Sequence, residues 1–480
     1  AELPNGVSRM SAYLHYGCVS PFRVAADAAH RGGDGPEKFL DELLVWRELS
    51  HHDCFHSEHL ETLDAIPDWA RASLEEHAAE PREATFDWET LVRGRTGEPL
   101  WDLAQRSLLR RGELHNNLRM TWGKAMLRWV QRPSRALKLM IDLNHRYALD
   151  GNDPNSYGGL LWCLGQFDRA FPPGPVFGKV RQRSLARHAG RLNMNEYARV
   201  VAGVPGQQKL RVVVVGSGMA GLTAARMLDD QGHEVTVVDK GRSPGGRMSS
   251  RLAGETRFDH GAQYFTARDP RFLRHVLAWR ERGLVEAWKG RIAVVGPHAE
   301  GQQGGETERY VPVPSMDAVC AEIATGLPDC RQSWRVERIV HDGSWRVESA
   351  TGETLSADAL IVTVPPPQAA ALFEDKALAE GVSHVEMLPC WAVMAELDRP
   401  LLKDHDASFV NDGPLWWLSG QASRPGRPDG HSWVLHAGPE WSLEHLGDDP
   451  DAVCDQLVAA ARALPISGPF EVNSAVAHRW

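Results

Sequence analysis

Residues 209–241, KLRVVVVGSGMAGLTAARMLDDQGHEVTVVDKG, decide how the second half of this chain is read. Four valines after Arg211 form a strand that is apolar on both faces. A glycine turn, a helix MAGLTAARML and a second β-run EVTVV follow it, which together make a βαβ unit on a parallel sheet. Gly216, Gly218 and Gly221 stand between strand and helix as GxGxxG. The first permits the tight turn, the second lets the backbone approach a pyrophosphate, and the third lets the helix pack closely on the strand. The helix N-terminus adds partial positive charge for the phosphates. Asp239 closes the second β-run, 18 residues after Gly221, where a carboxylate accepts hydrogen bonds from ribose hydroxyls. The pattern predicts a dinucleotide site.

Upstream the texture changes. From Ser8 to about Tyr197, segments such as EKFLDELLVWRELS, LWDLAQRSLLRRGELHNNLRMTWGKAMLRWV and SRALKLMIDLNHRYAL repeat apolar residues at helical spacing. Pro and Gly clusters at FPPGPVFGK and VAGVPGQQK close this region. The 480 residues are therefore read as multidomain: an all-α domain over 1–200, a linker over 201–208, and an α/β Rossmann-like domain with an α+β substrate subdomain over 209–480.

Hydrophobic residues at 42%, charged residues at 24% and a mean hydropathy of −0.36 are globular values. No apolar run approaches the ~20 residues of a membrane span, and AELPNGVSRMS lacks a hydrophobic signal core. The expectation is a cytoplasmic protein without a membrane partner. Seven cysteines form no CxxC pair, so neither a disulfide framework nor a zinc site is indicated. His51, His52 and His56 cluster without the acid or cysteine spacing of a metal site, and no metal is expected. The net charge of −10 argues against a generic nucleic-acid binder, yet it is unevenly spread. Residues 106–208 carry 17 Lys+Arg against 6 Asp+Glu, between an acidic 1–105 (9 against 20) and an acidic 209–480 (27 against 37). The basic block is a candidate polyanion surface. Seven of the 17 tryptophans precede residue 163.

The stretch after the βαβ unit, KGRSPGGRMSSRLAGETRFDHGAQYFTARDP, resembles the flavin amine oxidase superfamily. Within it, GGRMSSR followed by FDHGAQYFT is most similar to the renalase-like oxidoreductases. The strand ADALIVTVPPPQAAALF also fits that superfamily. The resemblance implies FAD as cofactor, with Gly245, Gly246, Arg247 and the segment from Asp259 to Gln263 along the flavin, and an amine or NAD(P)H as small-molecule reductant. It breaks off at Trp480, before the family's C-terminal glycine-rich segment, so this domain is expected to be truncated.

The first half resembles the FAD-binding helical domain of photolyases and cryptochromes, most of all the class II cyclobutane pyrimidine dimer photolyases. The motifs SRMSAYLHYG, ELLVWREL, EPLWDLAQ, LHNNLRMTWGKAMLRW and LNHRYALDGNDPNSYGGLLW carry it, in the family's order. Trp122 and Trp129 are seven residues apart and share a helix face. The resemblance implies that Trp122, Trp101 and Trp129 relay electrons to a flavin, in that order outward. It further implies that Arg119 and Asp150 pair beside the isoalloxazine, that Asn144 presents an amide donor to the flavin, and that Ser8, Ser11 and Tyr13 contribute to cofactor binding. Trp46, Met120 and Trp162 would wall a pocket for an extruded dimer, and Glu42 would hydrogen-bond its pyrimidine base. Lys179, Arg181 and Arg183 would contact phosphates of UV-damaged DNA. The family's antenna domain is not in the chain, which is read as a fragment of a longer fusion. The expectation is a dimer-repairing photolyase domain fused to an FAD-dependent oxidoreductase. A dark oxidoreductase with a scaffolding helical half, and a cryptochrome-like photosensor, are the alternatives.

Overall fold

Proline at the first turn starts most of the long helices of the first half, where its missing N–H costs nothing. Those helices are Pro21–Arg31, Pro99–Arg111, Pro133–Tyr147 and Pro154–Trp162; Asn116–Trp129 starts instead on the His115 ring, which accepts from the Asn117 N–H. The computed structural model describes residues 7–203, 208–296 and 307–480. It separates into two units, Ala1–Gln208 with Asp230–Gly232, and Lys209–Asp229 with His233–Trp480. Residues 204–207 of the expected linker lie outside the described residues.

In the first unit every described regular element is helical. Trp101, Trp122, Trp129, Leu108, Met126, Leu137 and Met140 pack its core. Residues Thr121–Leu127 are all buried, so the centre of Asn116–Trp129 is enclosed on every face. By contrast, Ser11–His15, Pro21–Arg31 and Asp34–Asp41 bury no side chain. The expected helix through ELLVWREL is interrupted: Glu42–Trp46 winds as a π-turn between Asp34–Asp41 and Arg47–His56.

In the second unit, Arg211–Val215 and Glu234–Val238 pair in parallel with Met219–Gln231 between them, as the βαβ reading predicts. Ala359–Val362 and Cys330–Arg331 extend the sheet on either side, so the ADALIVTVPPP strand does return to the nucleotide fold. A six-stranded sheet runs Val472–Arg479, Trp391–Leu397, Ser432–Ala437, Leu415–Gly420, Ala407–Asp412, Ile292–Val295 in that order, and Pro450–Arg462 covers one face of it. Among the described residues no helix is long and apolar enough to cross a membrane.

Candidate functional site

In the second unit the site is built from backbone. Gly216 sits at φ +112°, a conformation that L side chains rarely adopt. A Cβ on Gly221 would lie 2.0 Å from the Gly216 carbonyl oxygen, so helix and strand approach only because that atom is missing. Gly218 is different: a Cβ there would meet nothing closer than 3.8 Å, and the space above it is what a pyrophosphate fills. Ser217 O accepts from Gly245 N–H at 2.9 Å, which draws the second glycine pair onto the loop, with Gly245 at φ +142° and Gly246 at +55°. Asp239 stands at the strand end as expected, accepting from Ser217 N–H and Gly241 N–H at 2.6 Å each. It fixes the loop and keeps lone pairs for ribose hydroxyls. These cradles fit a dinucleotide.

Arg247 has an exposed side chain, and its carbonyl accepts from Ala262 N–H at 2.8 Å. The expected role of Gln263 along the flavin is corrected. Its amide donates to Asp259 O and Gly261 O, and its oxygen accepts from Arg424 Nη2, Ser419 Oγ and Trp417 Nε1 at 2.5, 2.8 and 3.3 Å. Both ends of the side chain are held by protein partners because Arg424, wholly buried, needs them. Asp259 completes the network, taking Arg424 Nη1 at 3.3 Å and Arg427 Nη2 at 2.6 Å. Burial pushes its carboxyl up, but the two guanidiniums outweigh that and hold it below the ordinary range. Beside it, His260 packs its ring 4.9 Å from His478 and 4.8 Å from Trp480, while its carbonyl accepts from His436 Nε2 and Trp480 Nε1. Burial pushes His260 and His436 down to about 4. Neither cluster was legible, because their members lie 165 and 218 residues apart in sequence.

In the first unit the site is built from side chains on separate helices. Arg119 donates to Asp150 at 2.8 and 3.1 Å and to Ser156 Oγ at 3.2 Å. Ser156 Oγ donates to Asp150 O at 2.8 Å and accepts from Asn144 Nδ2 at 3.2 Å. Three helices thus meet in one buried network, in which Ser156 is a hub the sequence reading missed. Two of its atoms are buried without a partner, Asn144 Oδ1 and Arg119 Nε. The expected amide donor is therefore corrected: Ser156 takes the Asn144 NH2, and the group left over is an acceptor. Orphaned polar atoms at this depth are costly, and a polar ligand such as a flavin edge satisfies them. The residues fit that group. Asp153 ties the same helices together, capping Asn155 N–H while accepting from Arg47 at 2.8 and 3.0 Å and pairing with His15. Burial raises its carboxyl, and the Arg47 and Asn155 hydrogen bonds overcome this and hold it low.

The three tryptophans are contiguous. Trp101 stacks on Trp122 with ring centroids 6.1 Å apart and planes 8° from parallel, and meets Trp129 edge-on at 5.2 Å. Trp122 lies one helical turn from Arg119. Trp122 Nε1 donates to Gln105 Oε1 at 3.1 Å, and Trp101 Nε1 to Trp122 O at 3.0 Å. Trp129, expected outermost, is itself buried.

The substrate residues are less assembled. Glu42 is exposed on the π-turn and pairs with Lys38 at 2.9 Å. Trp46 is 40% exposed on the same turn; Met120 and Trp162 are half-buried. Of the three expected phosphate contacts, Lys179 is exposed, whereas Arg181 pairs with Asp168 at 2.9 Å and Arg183 donates to Asn117 Oδ1 at 2.6 Å. Ser8, Ser11 and Tyr13 are exposed, and neither serine caps a helix N-terminus. Lys124 passed unnoticed in TWGKAML, although a lysine inside so apolar a run signals a buried amine; it is 0% exposed. Among the described residues there is no group of three metal ligands.

Comparison with known proteins agrees with this division. Residues 39–165 match the FAD binding domain of DNA photolyase, 214–278 a NAD(P)-binding Rossmann-like domain, and 298–480 the flavin containing amine oxidoreductases. The chain is 38% identical over 200 residues to the deoxyribodipyrimidine photo-lyase of Methanothermobacter thermautotrophicus, covering 42% of this chain and 44% of that one. It is 38% identical over 198 residues to the enzyme of the same name from Arabidopsis thaliana, covering 40% of each. Over 58 residues it is 48% identical to a hydroxyneurosporene desaturase of Rubrivivax gelatinosus, 12% of this chain and 11% of that one. It spans less than half the length of these photolyases. The chain carries a photolyase FAD-binding domain followed by Rossmann-like and flavin amine oxidoreductase segments, and FAD is the cofactor of such domains.

Proposed function

We propose that the helical unit repairs cyclobutane pyrimidine dimers in UV-damaged DNA by a class II-like, light-driven reaction, and that the second unit is a renalase-like, FAD-dependent oxidoreductase acting on an amine or a reduced nicotinamide in the cytoplasm. The observation that carries the first part is the unbroken Trp122–Trp101–Trp129 stack, starting one turn from the Arg119–Asp150–Asn144 network. Bound and reduced, FAD supplies the light-excited electron that opens the cyclobutane ring. The rest falls to the chain. Arg119, Ser156 and Asn144 orient and hold the flavin edge. Trp46, Met120 and Trp162 wall the pocket that receives the extruded dimer, offsetting the few kcal/mol of unstacking. Glu42, released from Lys38, hydrogen-bonds the pyrimidine base, and Lys179, Arg181 and Arg183 meet flanking phosphates. In the second unit the Gly216–Gly221 loop and Asp239 hold the dinucleotide; oxidation of NAD(P)H there would keep the first flavin reduced.

One observation favours photoreception without repair as a second reading: Glu42 is engaged by Lys38 and stands exposed. Illumination of a thymine-dimer oligonucleotide with the chemically reduced protein separates the two. Light-dependent repair that Glu42→Ala abolishes establishes the first; photoreduction lost in Trp101→Phe, without repair in either protein, establishes the second.

A further inference from the structure

Trp162, the last residue of Pro154–Trp162, is surrounded by three cations. Lys124 Nζ lies 4.5 Å from the ring centroid, the Arg183 guanidinium 5.3 Å and the Arg181 guanidinium 5.5 Å. Each is pinned: Lys124 by Cys163 O at 3.0 Å, Arg183 by the Asn117 carbonyl and side-chain oxygens at 2.9 and 2.6 Å, and Arg181 by Asp168 at 2.9 Å. Asp168 is the one carboxylate among these partners, so the surroundings of the ring are net positive. A cation is attracted to a neutral indole face. It opposes removal of an electron from that indole, because the radical cation left behind is repelled. Trp122 and Trp101 have the opposite arrangement, each pointing its N–H at a carbonyl oxygen whose dipole favours positive charge on the ring.

We propose that Lys124, Arg181 and Arg183 form a cation cage that withholds Trp162 from one-electron oxidation, so that electrons travel through Trp129, Trp101 and Trp122 while Trp162 stays intact as a wall. The need for such insulation rests on the light-driven reading above; the cage does not. Lys124 is a positioning residue here, acting through Trp162. Burial pushes its amine down to about 8, against the smaller pull of Cys163 and Asp168 and with the push of Arg183 and Arg181. The Cys163 thiol is itself raised to about 11. Lys124 is therefore the member of this group that loses its charge in mildly alkaline solution.

The test uses azide radical on the purified chain in oxygenated buffer. Each radical takes one electron from an indole and becomes azide; the indole radical cation loses its N–H proton to buffer and takes up dioxygen. Oxygenated peptides are counted by mass spectrometry, Trp162 relative to Trp46. The ratio should rise about tenfold from about pH 7 to about pH 9.5. Lys124→Met should be high at both, and Lys124→Arg low at both. A ratio indifferent to pH in the native chain overturns the cage, even where the variants fail to fold. Repair or photoreduction with no cage effect would leave the function standing alone, and a cage effect without photochemistry would remove the function and leave the cage.

Discussion

The two flavin sites are made of different material. The Rossmann loop is backbone, shaped by where Cβ atoms are missing, whereas the helical site is side chain, assembled by Arg119, Asn144, Asp150 and Ser156 from separate segments. A site made of backbone can be read from residue spacing, because each glycine states a geometric requirement locally. A site made of side chains exists only after tertiary folding.

The comparison predicts where damage is greatest. Gly221→Ala should destabilise the second unit by ~3 kcal/mol or more, because its Cβ meets backbone at 2.0 Å; Gly218→Ala should leave the melting temperature unchanged and weaken flavin retention instead. Equal melting temperatures for the two variants would break the distinction. In the helical unit, Asp150→Ala leaves the Arg119 guanidinium buried without its carboxylate, at a cost of ~3 kcal/mol in denaturant unfolding. Acid sharpens the contrast from the other side. His260 and His436 titrate near 4 in the folded chain against 6.5 ordinarily, so both are neutral when folded. As pH falls below about 6.5 the unfolded chain takes up these protons first. Stability of the second unit is then full above that pH, drains down to about 4 by up to ~3 kcal/mol per histidine, and levels off below. Unfolding followed at successive pH values checks this, and a flat profile contradicts it. The smallest effect is expected at Ser8 and Ser11, whose exposed side chains should lose less than ~0.5 kcal/mol on replacement by Ala; a large drop in flavin affinity there would show that this segment folds onto its ligand.

Legibility follows the same divide. The βαβ unit, its glycines and Asp239 could be read from 31 consecutive positions, and the relay tryptophans from their spacing and family likeness. Ser156 could not, because a serine in DPNSYGG reads as an ordinary helix-start residue until Asn144 and Arg119 converge on it. Arg424 and Asp259 could not, since nothing in SRPGRPDG says that the first arginine is fully buried. Gln263 was assigned to the flavin because its motif lies near one, and the network around Arg424 took the side chain instead.

The π-turn at Glu42–Trp46 bears on how this helix arose. Such a turn is an α-helix with one residue too many, so it records a single-codon insertion tolerated by the fold. Removing one residue would regularise the helix but swing the preceding segment by about 100° relative to Arg47 and everything after it. Glu42 would then face a different direction from the one it faces now, while Trp46 kept its place. The irregular turn is therefore the register mark between the two, and a one-residue deletion library across 42–46 would read that history directly.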